Sequence, residues 1–145
     1  MSENVVQVSV FLENKPGALA RVAQVLKNAG IDLRVLTVAE TGEFGILRVI
    51  VSDPDAAVGA LEGAGYTFSQ TEVVAVEIGD KPGGLAELAE ITGGAGINID
   101  YLYAFVMKTH QTAVAIIRAD NPDAVRSAVS SRGMKVLSAG ELYSL

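Results

Sequence analysis

The chain has 145 residues, 50% of them hydrophobic, with 11 Lys and Arg against 17 Asp and Glu and a formal net charge of −6. The acidic balance argues against nucleic acid and anionic membranes as partners, because binding phosphate rests on a basic face. The absence of cysteine excludes disulfides, thiolate zinc sites and thiol catalysis. No apolar run approaches the 18 or so residues of a membrane span, and Met1-Ser2-Glu3-Asn4 lacks the basic start of a signal peptide, so a cytoplasmic protein is expected.

Val6 to Leu12 alternates as a strand, with Val6, Val8 and Val10 on one face and Gln7 and Ser9 on the other. The strand ends at Glu13-Asn14-Lys15-Pro16-Gly17. Leu19, Val22, Ala23 and Leu26 then fall at helical spacing as one buried stripe, with Arg21, Gln24 and Lys27 opposite, and Gly30 closes the helix. Ile31 to Ala39 and Phe44 to Val51 are rich in β-branched residues and flank Glu40-Thr41-Gly42-Glu43, which reads as a hairpin. Asp53 offers an N-cap oxygen and Pro54 a preset φ for a second helix, anchored by Val58 and Leu61. Tyr66 to Ser69 supplies a fourth strand, giving the order βαββαβ.

The same order recurs. Lys15-Pro16-Gly17 returns as Lys81-Pro82-Gly83, 66 residues on, and the offset carries Ala29-Gly30-Ile31 onto Ala95-Gly96-Ile97 and Asp32 onto Asn98. Pro54-Asp55-Ala56 returns as Pro122-Asp123-Ala124 at an offset of 68, so the second copy holds two extra residues, best placed in its hairpin loop. Its first strand, Val73 to Ile78, follows the first copy after almost no linker. The expected fold is therefore α+β: two ferredoxin-like βαββαβ domains in tandem, residues 1–70 and 71–145, each an antiparallel sheet with its helices on one face. The other sheet face is left needing cover. Where the first copy has Lys27-Asn28, the second has Gly93-Gly94, each costing about 1 kcal/mol relative to Ala within a helix. Either that helix stops early or something approaches its backbone closely.

At the turn into the first helix, Gly17 or Gly83 removes the Cβ that would block close approach, and the first N–H groups of the helix point outward at its positive end. That geometry suits a carboxylate. Asp32 and Asn98, short polar residues at the start of the second strand, could complement the ammonium of the same ligand. The bland alternative is a tight turn beside a solvated strand residue.

Both halves resemble ACT domains, the amino-acid-sensing modules of biosynthetic enzymes. The resemblance rests on Leu12-Glu13-Asn14-Lys15-Pro16-Gly17-Ala18-Leu19 with Ala29-Gly30-Ile31-Asp32, and on Gly79-Asp80-Lys81-Pro82-Gly83-Gly84-Leu85 with Ala95-Gly96-Ile97-Asn98. It implies a ligand held by Asn14, Lys15, Pro16, Gly17, Ala18 and Leu19 with Asp32, and by Asp80, Lys81, Pro82, Gly83, Gly84 and Leu85 with Asn98. An amide at Asn98 can both donate and accept, whereas ionised Asp32 only accepts. Together with Gly84 and Gly93-Gly94, that favours the second copy as the working site.

With about 70 residues per copy there is no room for a catalytic domain. The resemblance therefore implies a non-catalytic amino-acid sensor, homodimeric, that regulates a biosynthetic enzyme. The first copy also resembles the small regulatory subunit of acetolactate synthase across Leu12 to Val22, which makes an enzyme's regulatory subunit the alternative. A structural dimer with vestigial ligand sites is a further one. Tyr101, Tyr103 and Phe105 alternate along one strand and are read as core or interface packing over a stacking platform. His110 is read as a solvated loop residue. Glu72, Glu77, Asp80, Glu87 and Glu90 have no partners at metal-site spacing, and Arg34 with Asn28 forms no phosphate loop. No cofactor, metal or catalytic residue is expected.

Overall fold

The computed structural model describes residues 4–107 and 112–145. Met1 to Glu3, His110 and the two extra residues of the second hairpin lie outside the described residues. The chain divides into two units, one of Val6–Thr71 and the other of Glu72–Ser144 with the first residues up to Val5.

In the first unit, β1 (Val5–Glu13), α1 (Ala18–Asn28), β2 (Leu33–Thr41), β3 (Phe44–Val51) and α2 (Pro54–Gly63) lead into β4 (Phe68–Gly79). The sheet order is β2-β3-β1-β4. The β1–β3 and β2–β3 pairs are antiparallel, with Val8 opposite Val49 and Leu36 opposite the same residue on the other side. The turn between β2 and β3 tightens to Gly42 and Glu43, with Gly42 at φ 75°. The Asp53 side chain accepts from Ala56 N at 3.1 Å and Pro54 opens α2, the cap and first turn that the sequence predicts.

In the second unit the later part of β4 is the first strand. It is followed by α3 (Gly84–Gly94), β5 (Ile99–Met107), β6 (Thr112–Ala119), α4 (Pro122–Ser130), β7 (Val136–Leu137) and α5 (Ala139–Tyr143). The order β5-β6-β4-β7 repeats that of the first unit, and both sheets place a bulge at the start of their second strand, between Leu33 and Val35 and between Ile99 and Tyr101. The offset changes from 66 to 68 between the pairs Thr41–Phe44 and Met107–Thr112, which locates the insertion at the hairpin. The chain is thus an α+β fold of two ferredoxin-like domains.

Several expectations change. The fourth strand of one copy and the first of the next are one continuous strand, Phe68–Gly79, because no Gly or Pro interrupts the run from Phe68 to Ile78. The buried stripe of α1 is Ala18, Val22 and Leu26. Leu19 is 48% exposed, as is its counterpart Leu85 at 54%, since one step along a helix rotates a side chain by about 100°. Gln7 and Ser9, on the face opposite Val8 and Val10, are buried, and Gln7 Nε2 donates to Ser9 Oγ at 3.2 Å. Helix α3 runs through Gly93 and Gly94, so it does not stop early, and among the described residues nothing stands within 4 Å of where a Cβ at either would sit.

Each unit has its own core. In the first, Val8, Val10 and Leu12 pack with Val22, Leu26 and Leu61; in the second, Val74 and Val76 pack with Leu88, Ile117, Val125 and Val129. Tyr101, Tyr103 and Phe105 are half-buried, while Leu102 between them packs on the core cluster. Alternation therefore puts the three rings on the side of β5 away from the helices. Helix α5 is an addition without a counterpart in the first copy. It begins with a capping box in which Ser138 Oγ accepts from Glu141 N at 3.1 Å and Ser138 N donates to Glu141 Oε1 at 3.0 Å.

Two predictions follow from this packing. A Cβ at Gly84 would overlap the Gly79 carbonyl oxygen, where the first copy accommodates Ala18, so Gly84→Ala should lower stability by about 1–3 kcal/mol. Gly93→Ala, in open space within a helix, should raise stability by up to about 1 kcal/mol; urea midpoints check both, and equal shifts would contradict the close approach at Gly84. The Glu141 carboxyl is held below its ordinary 4.5, first by the Ser138 N–H and then by Lys135. A depressed carboxylate stabilises the fold above its unfolded pKa and loses that contribution as the pH falls through the folded value. Stability should decline below about pH 4.5, and Glu141→Gln should remove part of that decline in urea midpoints measured between pH 7 and 3.

Candidate functional site

The two Lys-Pro-Gly turns have the same backbone geometry. Gly17 lies at φ 88°, ψ −12° and Gly83 at φ 93°, ψ −10°, left-handed values that a Cβ would strain. Ala18 N donates to Lys15 O at 3.3 Å and Gly84 N to Lys81 O at 3.1 Å; Arg21 N then reaches Gly17 O at 3.1 Å and Glu87 N reaches Gly83 O at 2.9 Å. No side chain caps either helix. The N–H groups of Leu19 and Ala20, and of Leu85 and Ala86, have no acceptor among the described residues. Two open donors at the positive end of each helix are what a carboxylate requires.

The remaining sequence-predicted residues divide into those that build this turn and those set apart from it. Asn14 builds it: its Nδ2 donates to Gly42 O at 2.9 Å and its N–H to Glu43 O at 2.8 Å, tying the loop to the hairpin. Lys15 pairs with Glu13 at 2.8 Å and, through that hydrogen bond and its charge, holds the Glu13 carboxyl below its ordinary range. Lys81 folds along Gly79, whose Cβ position is 3.1 Å from Lys81 Cε. Pro16, Pro82 and Asp80 are exposed, whereas Ala18 and Gly84 are buried.

Asp32 and Asn98 stand just before β2 and β5 rather than within them, are exposed, and lie at the other end of each sheet from the turn, since Leu33 pairs with Val51 and Ile99 with Ala119 whereas Glu13 pairs with Phe44 and Gly79 with Thr112. Asp32 pairs with Arg34 at 3.3 Å. The Asn98 amide donates to Asp100 Oδ1 at 3.3 Å, and Asp100 in turn pairs with Arg118 at 3.3 Å. Both polar residues are thus engaged with neighbours two positions on, leaving the Asn98 side chain with a donor it would have to redirect.

The sequence did not reveal that each unit has a cavity beside this turn. In the first unit a cavity of about 320 Å³ is lined by residues that include Phe11, Ala18, Arg21, Phe44 and Tyr66. In the second, a cavity of about 290 Å³ includes Glu77, Lys81, Glu87, Thr112 and Met134. The two occupy corresponding places, since Phe11 and Arg21 map to Glu77 and Glu87 at the first offset and Phe44 and Tyr66 to Thr112 and Met134 at the second. Neither includes Asp32 or Asn98. Among the described residues no group of three His, Cys, Asp or Glu could hold a metal ion, and no helix is long and apolar enough to cross a membrane.

Comparison with known proteins gives the family to which this repeated fold belongs. The model of the ACT domain pair matches residues 3–145, and the chain belongs to that family. Among solved structures, a protein from Bacteroides thetaiotaomicron is 37% identical, with a TM-score of 0.92 over 99% of each chain. The regulatory subunit of aspartate kinase from Thermus thermophilus is 20% identical, with a TM-score of 0.65 over 90% of this chain and 93% of that one. Its counterpart from Thermus flavus is 21% identical, with a TM-score of 0.64 over 88% and 92%. The two Thermus proteins share the fold. No curated protein matches the chain.

Proposed function

We propose that the chain is a non-catalytic sensor that binds a free amino acid and passes the bound state to an enzyme or regulator. The observation that carries this reading is the pair of open N–H groups at each Lys-Pro-Gly turn, behind a left-handed glycine and without a side-chain cap. The ligand carboxylate would sit on Leu85 and Ala86 N–H, and equivalently on Leu19 and Ala20. Asn98 and Asp32 lie at the far end of their own sheets from this turn, so the ammonium would be met by the Asn98 amide or by Asp32 of a partner chain. The second copy is the better site, because the Asn98 amide both donates and accepts whereas Asp32 already faces Arg34 at 3.3 Å.

The output would run through the half-exposed Leu19 and Leu85, which stand on the first turn of each helix beside the proposed ligand. A homodimer is the simplest assembly that would cover them. The fold shared with regulatory subunits of aspartate kinase supports a second reading, in which the chain is the standing regulatory subunit of an amino-acid biosynthetic enzyme. Co-purification with a large catalytic partner would favour the second reading, and a free homo-oligomer the first.

A thermal-shift screen over the twenty amino acids tests the proposal. Ligand at a hundred times its dissociation constant adds about 2.7 kcal/mol, a shift of several degrees for a protein of this size. Asn98→Ala should weaken the binding found more than Asp32→Ala does. No shift with any of the twenty at millimolar concentration would overturn the sensor reading.

A further inference from the structure

We propose that the first copy carries a second binding site, the cavity lined by Arg21, Phe11, Phe44 and Tyr66, for a small carboxylate with a flat apolar body and no ammonium group. The site adjoins the Leu19 and Ala20 N–H groups of the first copy but is distinct from the favoured amino-acid site of the second copy, and does not rest on that reading.

The cavity's volume, about 320 Å³, falls at the lower end of the roughly 300–1,000 Å³ that small-molecule sites occupy. Its walls are aromatic on three strands or loops: Phe11 from the end of β1, Phe44 from the start of β3 and Tyr66 from the turn before β4. Phe11 and Phe44 are 46% and 52% exposed, so two rings line a concavity with much of their apolar surface in water. Such surface is costly to leave wet and suits a flat partner.

Arg21 supplies the polar contact. Its guanidinium lies over the Lys-Pro-Gly turn, with Nη1 3.3 Å from where a Cβ on Gly17 would stand. It makes no ion pair among the described residues. Glu13, the carboxylate at the cavity rim, is already paired with Lys15 at 2.8 Å. Arg21 also occupies an unfavourable place on its own helix: it stands close to the positive end of α1, whose first turn holds no acidic residue. That leaves a cation beside a helix start with open N–H groups, and the one carboxylate in the lining, Glu13, is bonded to Lys15 and feels the Arg21 charge only as a lesser influence. A carboxylate in the cavity would relieve both and can bond a guanidinium in two-point fashion. An ammonium would be repelled by Arg21 and would find only a carboxylate that Lys15 has neutralised. The site therefore favours a simple carboxylic acid over an amino acid.

The second copy provides the control within the same chain. Its cavity keeps the position and nearly the size but none of the chemistry: Glu87 replaces Arg21, Glu77 replaces Phe11, Thr112 replaces Phe44 and Met134 replaces Tyr66. Lys135 at its rim is held by Glu141 at 3.0 Å, so it is committed elsewhere. That cavity's lining sets Glu77 and Glu87 against Lys81 and Lys135 and holds no ring, so it lacks the flat apolar walls and the guanidinium that the first cavity offers the ligand. Glu87 is also the sign of charge that the start of α3 favours, and it shares the lining with Lys81, so the second cavity has no cation standing without carboxylates beside it.

The test uses the full chain labelled with nitrogen-15 and titrated with 3-phenylpropionate, 2-phenylethylamine and phenylalanine in turn. With 3-phenylpropionate the amides of Phe11 to Glu13, Ala18 to Arg21 and Tyr66 to Thr67 should move while those of Glu77 to Gly79, Gly84 to Glu87 and Met134 to Lys135 stay. The amine should leave both sets unmoved. Arg21→Glu should weaken 3-phenylpropionate about tenfold or more, and Arg21→Gln, which adds no repulsion, should weaken it in the same direction; unchanged remaining amides verify that each variant is folded. Overturning results are no movement with 3-phenylpropionate at millimolar concentration, equal binding of the amine, or undiminished affinity in the folded Arg21 variants. Phenylalanine separates this site from the other: shifts confined to Leu19, Ala20, Leu85, Ala86 and Asn98 bear on the amino-acid reading alone, whereas shifts at Phe11 to Glu13 and Tyr66 to Thr67 equal to those from 3-phenylpropionate would contradict the exclusion of ammonium.

Discussion

Each copy turns on one backbone constraint, the reversal from the first strand into the first helix through a left-handed glycine. At Gly17 and Gly83 the chain adopts φ values of 88° and 93°, and the helix begins at the next residue without a side chain to cap it. The turn is held from below by the carbonyl of Lys15 or Lys81 and, in the first copy, from the side by Asn14 on the hairpin. That arrangement fixes the direction of the first helix over its sheet, aims Val22 or Leu88 into the core and leaves two N–H groups facing outward. A stabilising cap such as Ser or Asp would occupy those donors. Their openness in both copies is the feature that any account of function has to use.

On this common scaffold the two copies have diverged in chemistry while keeping their geometry. Ala18 becomes Gly84, letting the helix start approach the Gly79 carbonyl more closely. Leu26 becomes Thr92, buried but satisfied through bonds to Leu88 O and Ala89 O at 3.0 and 3.2 Å. Asp32 becomes Asn98, and Arg21 becomes Glu87. The changes at Ala18 and Arg21 fall around the turn and that at Asp32 at the other end of the sheet, whereas the strand order, the bulge at the start of the second strand and the Asp or Asn cap of the second helix persist. The duplicated module thus preserves its frame while the chemistry around one loop differs between the copies.

Much of the frame was legible because it is written in local terms. The offset of 66, the alternation in β1, and the caps Asp53-Pro54 and Asn121-Pro122 are short-range patterns, and they lead to βαββαβ twice. The Lys-Pro-Gly turn was legible for the same reason. What escaped depends on how elements pack. Leu19 fits a helical stripe by spacing, yet the helix is rotated so that Ala18 faces the core, and only the sheet beneath decides that. Gly93 and Gly94 invited a reason in terms of neighbours, and none stands near them. The cavities join residues from four separate segments, so no window of sequence contains them, although applying the two offsets to Arg21, Phe44 and Tyr66 would have paired them with Glu87, Thr112 and Met134. Helix α5 was readable in advance from Ser138 and Glu141, three residues apart as a capping box demands.

The central claim is that the open helix start of the second copy receives an amino-acid carboxylate. Titrating the nitrogen-15-labelled chain with an equimolar mixture of the twenty amino acids tests it most directly. The account predicts that the backbone amides of Leu85 and Ala86 and the side-chain amide of Asn98 move together and saturate. Saturable binding that leaves Leu85 and Ala86 unmoved, or no binding at all at millimolar concentration, would contradict it.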